Sequence, residues 1–285
     1  MTPLSQRRDI FRDFLKSKAS LLGLVITISF VVVALLGPLV APYDPIEMDM
    51  INRLQPPSQA HLLGTDEFGR DIFSRILWGA QISIQLGVIA VSIGASAGVV
   101  LGLLAGYLRS YIEALVMRIM DILFAFPYFV LAIAIAAVLG PSLRNAMIAI
   151  GVVCIPTYAR LTWSQVLSIR EHTYVEAIRA LGANDLRIML RHVLPNCVAP
   201  LIVEGTLDIG WAIIEGAGLS FLGLGAQVPT PEWGLMISTG RNYLAVAPWV
   251  AIFPGIAIAI VVLAFNLMGD GFRDVLDPRL RTARG

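Results

Sequence analysis

The stretch Glu176–Asn196, EAIRALGANDLRIMLRHVLPN, carries Glu176, Arg179, Asp185, Arg187 and Arg191 between two long apolar segments. Tyr174, Ala177, Ile178 and Leu181 fall on one face of a helix, and Glu176 and Arg179 fall on another. Gly182 suits the left-handed position that ends a helix. Asn184 or Asp185 can cap a second short helix. Pro195 then opens the next apolar segment, where its missing N–H is tolerated. Two short helices joined at a glycine form a compact knob, and a plain connecting loop needs no such order.

What surrounds the knob reads as membrane. The chain has 285 residues, and only 14% are charged, against about 25% in an ordinary soluble domain. That deficit predicts an all-α polytopic membrane protein. A net charge of +1 suggests no nucleic-acid partner. Apolar segments run from Ala19 to Tyr43, Ile76 to Leu108 and Ile122 to Leu143. A fourth begins near Asn145, a fifth covers Val193 to Leu224, and a sixth lies between Asn242 and Gly269. The first follows a basic tail (Arg7, Arg8, Arg12, Lys16, Lys18). It is too long for a cleaved signal and reads as an anchor. With six spans, sixteen Lys and Arg residues fall on one side and five on the other. Positive residues stay cytoplasmic, so both tails and the knob are expected inside.

Between spans one and two, HLLGTDEFGRDIFSRILWGA offers Thr65 or Asp66 as a cap. Asp66 with Arg70, and Asp71 with Arg75, are spaced for ion pairs. The pattern predicts an amphipathic helix on the membrane surface, either a lead-in to span two or a docking surface for an external partner. Gly94, Gly98, Gly102 and Gly106 form a smooth stripe on span two, where another helix can approach closely. That neighbour could belong to this chain or to a partner. Pro127 should kink span three, and Asp121 should pair locally with Arg118. Arg160, near the end of span four, can snorkel toward water.

Glu204, Asp208 and Glu215 lie within about 40° of one another on span five at 100° per residue. Charges are costly in lipid, so their shared face should meet the bundle interior, a partner or water. Asp208 and Glu215 are candidates for a transport pathway. Cys154 and Cys197 read as small buried hydrophobes. No H-E-x-x-H or G-x-S-x-G sequence occurs. Only Lys16 and Lys18 are present, so no P-loop lysine exists. Any ATP used must be hydrolysed by another chain.

The knob resembles the coupling loop of binding-protein-dependent ABC importers, whose pattern is E-A-A, three residues, G, nine residues, I-x-L-P. Here Glu176-Ala177-Ile178 precedes Gly182, and His192-Val193-Leu194-Pro195 follows at the same spacing. Ile178 and His192 depart from the pattern, and RHVLPN is similar to the peptide-importer branch. LGTDEFGRDIFSRILWGA, GLSFLGLGAQVPTPEWGLM and NLMGDGFRDVLDPRLR resemble that branch too. From about residue 60 onward the chain is similar to the C-type permease subunit of dipeptide/oligopeptide/nickel importers.

The resemblance implies a type I importer fold with six transmembrane helices, one peripheral helix outside a five-helix core. It divides the chain at about residue 80. Residues 1–80 hold the tail, first helix and external segment, and 81–285 hold the permease core with a coupling loop at about 164–195. It implies a prokaryotic cytoplasmic membrane, a homologous B-type permease, two ATPase subunits or one fused chain, and an extracytoplasmic binding protein. ATP and Mg would sit on the ATPases, with no cofactor on this chain. Tyr174, Glu176, Ala177, Arg179, Leu181 and Gly182 would contact the ATPase. Peptides are the first expectation for cargo, with nickel, glutathione or another small solute as alternatives. A channel or secondary transporter using the acidic face, or an assembly protein, are the rival classes.

Overall fold

The computed structural model describes residues 17–108 and 111–276. Helix α1 (Lys18–Val40) starts at Ser17, whose hydroxyl accepts from the Ser20 N–H at 3.3 Å. A long α2 (Ile72–Leu108) follows, then α3 (Tyr111–Phe124) and α4 (Tyr128–Leu139). Next come α5 (Leu143–Ile169), the short α6 (Thr173–Ala180) and α7 (Asp185–Ile188), and α8 (Leu194–Phe221). The chain ends in α9 (Trp233–Gly240) and α10 (Trp249–Leu276). Expectations resting on Arg7, Arg8, Arg12, Lys16, Arg109 and the arginines from Arg279 onward lie outside the described residues.

Among the described residues, five helical segments are long and apolar enough to cross a membrane: α1, α2, α5, α8 with the turn before it, and α10. The α3–α4 pair is bent by 93° at its break. Pro127 causes this bend, because proline has no N–H to continue α3 and its carbonyl instead opens α4, accepting from the Leu131 N–H at 3.0 Å. The expected kink is therefore a full break.

Helix register shows that this broken pair makes one crossing. The glycine stripe of α2 lies on α5, with Gly94 against Cys154, Gly98 against Tyr158, Gly102 against Thr162 and Gly106 against Val166. Both numbers rise together, so α2 and α5 are parallel, and the chain between them must return across the bilayer. The other pairs run the opposite way. On α8 and α10, Gly210 meets Val262 and Phe265 while Leu207 meets Gly269. On α2 and α8, Leu86 meets Gly216 while Val91 lies by Gly205. Six crossings satisfy every pair, and the glycine stripe is used inside this chain.

Helix α1 stands at the periphery. Ser20, Gly23, Thr27, Phe30, Ala34 and Gly37 bury one narrow face. Gly23 rests on Leu267 and Met268 of α10, and Gly37 on Leu77 of α2. Leu22, Val25, Leu35 and Leu39 point outward and are exposed, as lipid-facing residues should be. The start of α1, the end of α2 and the end of α10 therefore share one end of the bundle.

At the opposite end, the expected amphipathic helix does not form. Residues from Thr65 to Asp71 instead make a turn closed by a bridge between those two residues. Asp66, Glu67, Arg70, Asp71 and Arg75 are buried. Arg70 Nε donates to Asp66 Oδ2 at 2.7 Å, as the spacing predicts. The Asp71–Arg75 pair does not form. Asp71 caps α2, accepting from the N–H and hydroxyl of Ser74 at 2.8 Å each. Arg75 Nη1 donates to the Pro45 carbonyl at 2.6 Å, and Nη2 to the Thr230 carbonyl at 3.3 Å. Trp233 and Trp249 donate to the carbonyls of Ile76 and Thr65, both at 3.2 Å. Buried charge demands partners, and a turn that brings three loops together supplies them to Asp66, Asp71 and Arg75 where a surface helix could not. The stretch is a clasp at this end of the bundle.

Candidate functional site

The knob is built on the ends of α2 and α5. Val175, Ile188, Met189, Val193 and Cys197 join Leu103, Tyr107, Val166 and Ile169 in one apolar cluster. Gly182 ends α6 with φ +83°. The Gly182 N–H donates to Arg179 O at 3.0 Å and the Ala183 N–H to Ile178 O at 3.3 Å, the paired bonds that satisfy a helix C-terminus. Asn184 caps α7, its side-chain oxygen accepting from the Arg187 N–H at 2.8 Å. Instead of ending as a separate helix, α7 runs through a π-helical turn, Met189–Val193, into α8. Pro195 sits in the first turn of α8.

Polar bonds hold the knob to α2. Tyr107 Oη donates to Asp185 Oδ1 at 2.7 Å and accepts from Arg179 Nη2 at 3.1 Å. Arg170 Nη1 donates to the Gly106 carbonyl at 2.6 Å. The outward face consists of Tyr174, Ala177 and Leu181, with Glu176 beside them, all exposed. Leu181 is 87% exposed, which no folding requirement explains. One expectation is corrected: Ile178 does not share that face, but turns inward to pack on the cluster that holds Val175.

The second feature is a polar wall on α8. Asp208 faces Tyr158 of α5. Tyr158 is 1% exposed, and its hydroxyl completes no hydrogen bond. Tyr128, the first residue after the α3–α4 break, brings its hydroxyl to within 2.8 Å of Cys154 Sγ. Asp208 and Glu215 both act electrostatically on Tyr128 and Cys154. Glu215 Oε2 is buried without a partner. Glu204 lines a surface pocket of about 270 Å³ with Thr157, Arg160 and Ser164. Insertion scales put an acid at mid-helix in lipid at about 3 kcal/mol.

Two patterns match the chain. Residues 98–282 fit the binding-protein-dependent transport system inner membrane component. Residues 5–57 fit the N-terminal TM domain of oligopeptide transport permease C. The chain belongs to the inner-membrane permeases of binding-protein-dependent importers. A dipeptide transport system permease protein DppC from Alkalihalophilus pseudofirmus is 49% identical over 99% of this chain and 92% of its own length. A glutathione transport system permease protein GsiD from Escherichia coli is 48% identical over 96% of this chain and 90% of its own. Among solved structures, an inward-facing MetNI methionine ABC transporter chain superposes with a TM-score of 0.58 at 20% identity. It covers 70% of this chain and 95% of that one, and the fold is the type I importer permease fold.

The permease brings some predicted residues together and separates others. Tyr174, Ala177, Leu181 and Glu176 share the open side of the knob, while Arg179 is turned toward Tyr107. Asp208 and Glu215 share one wall. Asp121 does not pair with Arg118. It forms an ion pair with Arg160 of α5 at 2.5 Å, because the α3–α4 break carries α3 across α5. Sequence reasoning missed Tyr107, Tyr128 and Tyr158, whose roles depend on which helices touch. It also missed Trp211, which the same 100° arithmetic places about 20° from Glu204 on the acidic face. Trp211 is 57% exposed.

Proposed function

We propose that this permease forms half of the translocation pathway of an ATP-driven importer for di- or oligopeptides, working by alternating access. Its partners are a homologous B-type permease, two ATPase subunits or one fused ATPase chain, and an extracytoplasmic binding protein. ATP and Mg sit on the ATPases, and this chain supplies no cofactor. The knob and both termini face the cytoplasm, and the clasp faces the opposite side. Residues 1–80 form the peripheral unit, and 81–285 form the pathway and coupling core.

One observation carries this function: an exposed apolar face, Tyr174, Ala177 and Leu181, stands on a core continuous with α2 and α5. Closure of the ATPases pushes on that face. The Tyr107 and Arg170 bonds transmit the push to α2 at the point where its glycine stripe meets α5. Coupling is then a difference in contact free energy at the knob between two states. The dipeptide and glutathione relatives support a small peptide as cargo.

Glu176→Arg or Gly182→Pro should abolish binding-protein-stimulated ATP hydrolysis and uptake in the reconstituted importer. Proline cannot adopt the positive φ of position 182, and Glu176 lies on the open face. Intact stimulation in both variants would remove the coupling role from the knob.

A further inference from the structure

Asp121 on α3 forms an ion pair with Arg160 of α5, whereas Asp208 and Glu215 on α8 form none among the described residues. Among the described residues, no basic group acts on Asp208 or Glu215. Beside Asp208 and Glu215, the deeply buried Tyr158 hydroxyl lies against α8, 3.7 Å from where a Cβ on Gly205 would stand, and makes no well-formed hydrogen bond. Glu215 also keeps an unbonded oxygen. Between the two acids along α8, the Trp211 ring stands open on the same face. The half-exposed rings of Tyr128 and Phe129 border the wall, with Phe129 directed at Gly218 of α8.

Such a set has a definite complement. Two carboxylates and a hydroxyl oxygen accept hydrogen bonds, and an indole face attracts a cation. An ammonium group presents three donors and one compact positive charge. A carboxylate or phosphate would be repelled by an ionised acid on this wall. We propose that Asp208, Glu215, Trp211 and Tyr158 form this chain's share of a pathway site for the protonated amino group of the transported peptide. This site rests on the peptide reading above and adds an orientation: the amino end of the cargo passes along α8, and its carboxylate end is left to other walls.

The test uses the complete importer in proteoliposomes, with the natural chain as the parent; its Cys154 and Cys197 are buried, and both reagents are applied to it as the control. Asp208→Cys, and separately Glu215→Cys, are introduced, and ATP-driven uptake of radiolabelled dialanine is measured. Each variant should take up at least about tenfold less than the parent, the factor that one charge-assisted bond supports. Sulfonatoethyl methanethiosulfonate, which restores a negative charge, should recover several-fold of the lost uptake. Trimethylammonioethyl methanethiosulfonate, which adds a positive charge, should recover none. Equal effects of the two reagents at both positions, or no reaction at either position in any transport state, would overturn the ammonium site alone. A parent that hydrolyses ATP with its binding protein but takes up no dialanine would overturn the peptide reading, and the site with it.

Discussion

A single methyl group separates two kinds of glycine in this permease. A Cβ on Gly98 would stand 2.5 Å from Tyr158 Cβ and 2.6 Å from the Ile155 carbonyl, whereas a Cβ on Gly255 of α10 meets nothing within 4 Å. Gly98→Ala should therefore destabilise the detergent-solubilised protein by about 1–3 kcal/mol, the usual cost of overpacking. Gly255→Ala should leave it unchanged or raise it by about 0.5–1 kcal/mol, since alanine favours helix. Thermal unfolding of the two variants side by side checks both. The spacing of the stripe was legible because four glycines at one interval leave few other readings. Which of the glycines are crowded was not legible, because crowding belongs to the helix opposite. Glu67 shows a second limit at this scale. Burial, followed by the neighbouring Asp66 charge, raises its carboxyl above the ordinary value of 4.5. The folded state thus holds the proton more tightly than the unfolded chain. Its stabilising contribution is full below about 4.5 and declines as pH rises toward the folded value. Glu67→Gln should flatten the fall in melting temperature as pH rises above about 4.5. An unchanged slope would remove Glu67 as its source.

At the scale of elements, the knob was the most legible part of the chain and the external stretch the least. Glycine at a helix end and asparagine at the next helix start act through their own backbone, so Gly182 and Asn184 could be read locally and are found as read. The face that α6 buries is set by what lies beneath it, which is why Ile178 was placed on the wrong side. The 65–76 stretch misled for a similar reason. Its i,i+4 charge spacing satisfies a helix, but the carbonyls of Pro45 and Thr230 compete for Arg75, and Ser74 competes for Asp71. Tyr107 links the knob to α2 through a hydroxyl that both donates and accepts. Tyr107→Phe should cost about 0.5–1.5 kcal/mol of stability. It should also lower the amount of substrate taken up per ATP hydrolysed, because the lever slips. Equal loss of uptake and hydrolysis would assign Tyr107 to folding alone.

For the whole molecule, parity and packing answer different questions. Apolar length and the distribution of arginine suffice to count six crossings, because each crossing needs its own apolar run and the bilayer sorts charge. Composition also placed ATP hydrolysis on another chain, since no lysine is available for a P-loop. The parallel register of α2 and α5 independently requires the broken α3–α4 pair to be a crossing. It also gathers the knob, the start of α1 and the end of α10 at one end. What only the tertiary structure decided is which side chains are left without partners. Asp208 and Glu215 share a helix face by spacing alone. That neither forms an ion pair among the described residues, that the Tyr158 hydroxyl is buried against α8 beside them, and that Asp121 is answered by Arg160 all depend on neighbours far along the chain. Helix periodicity is a local property of the backbone, whereas satisfaction of a charge belongs to the packed bundle.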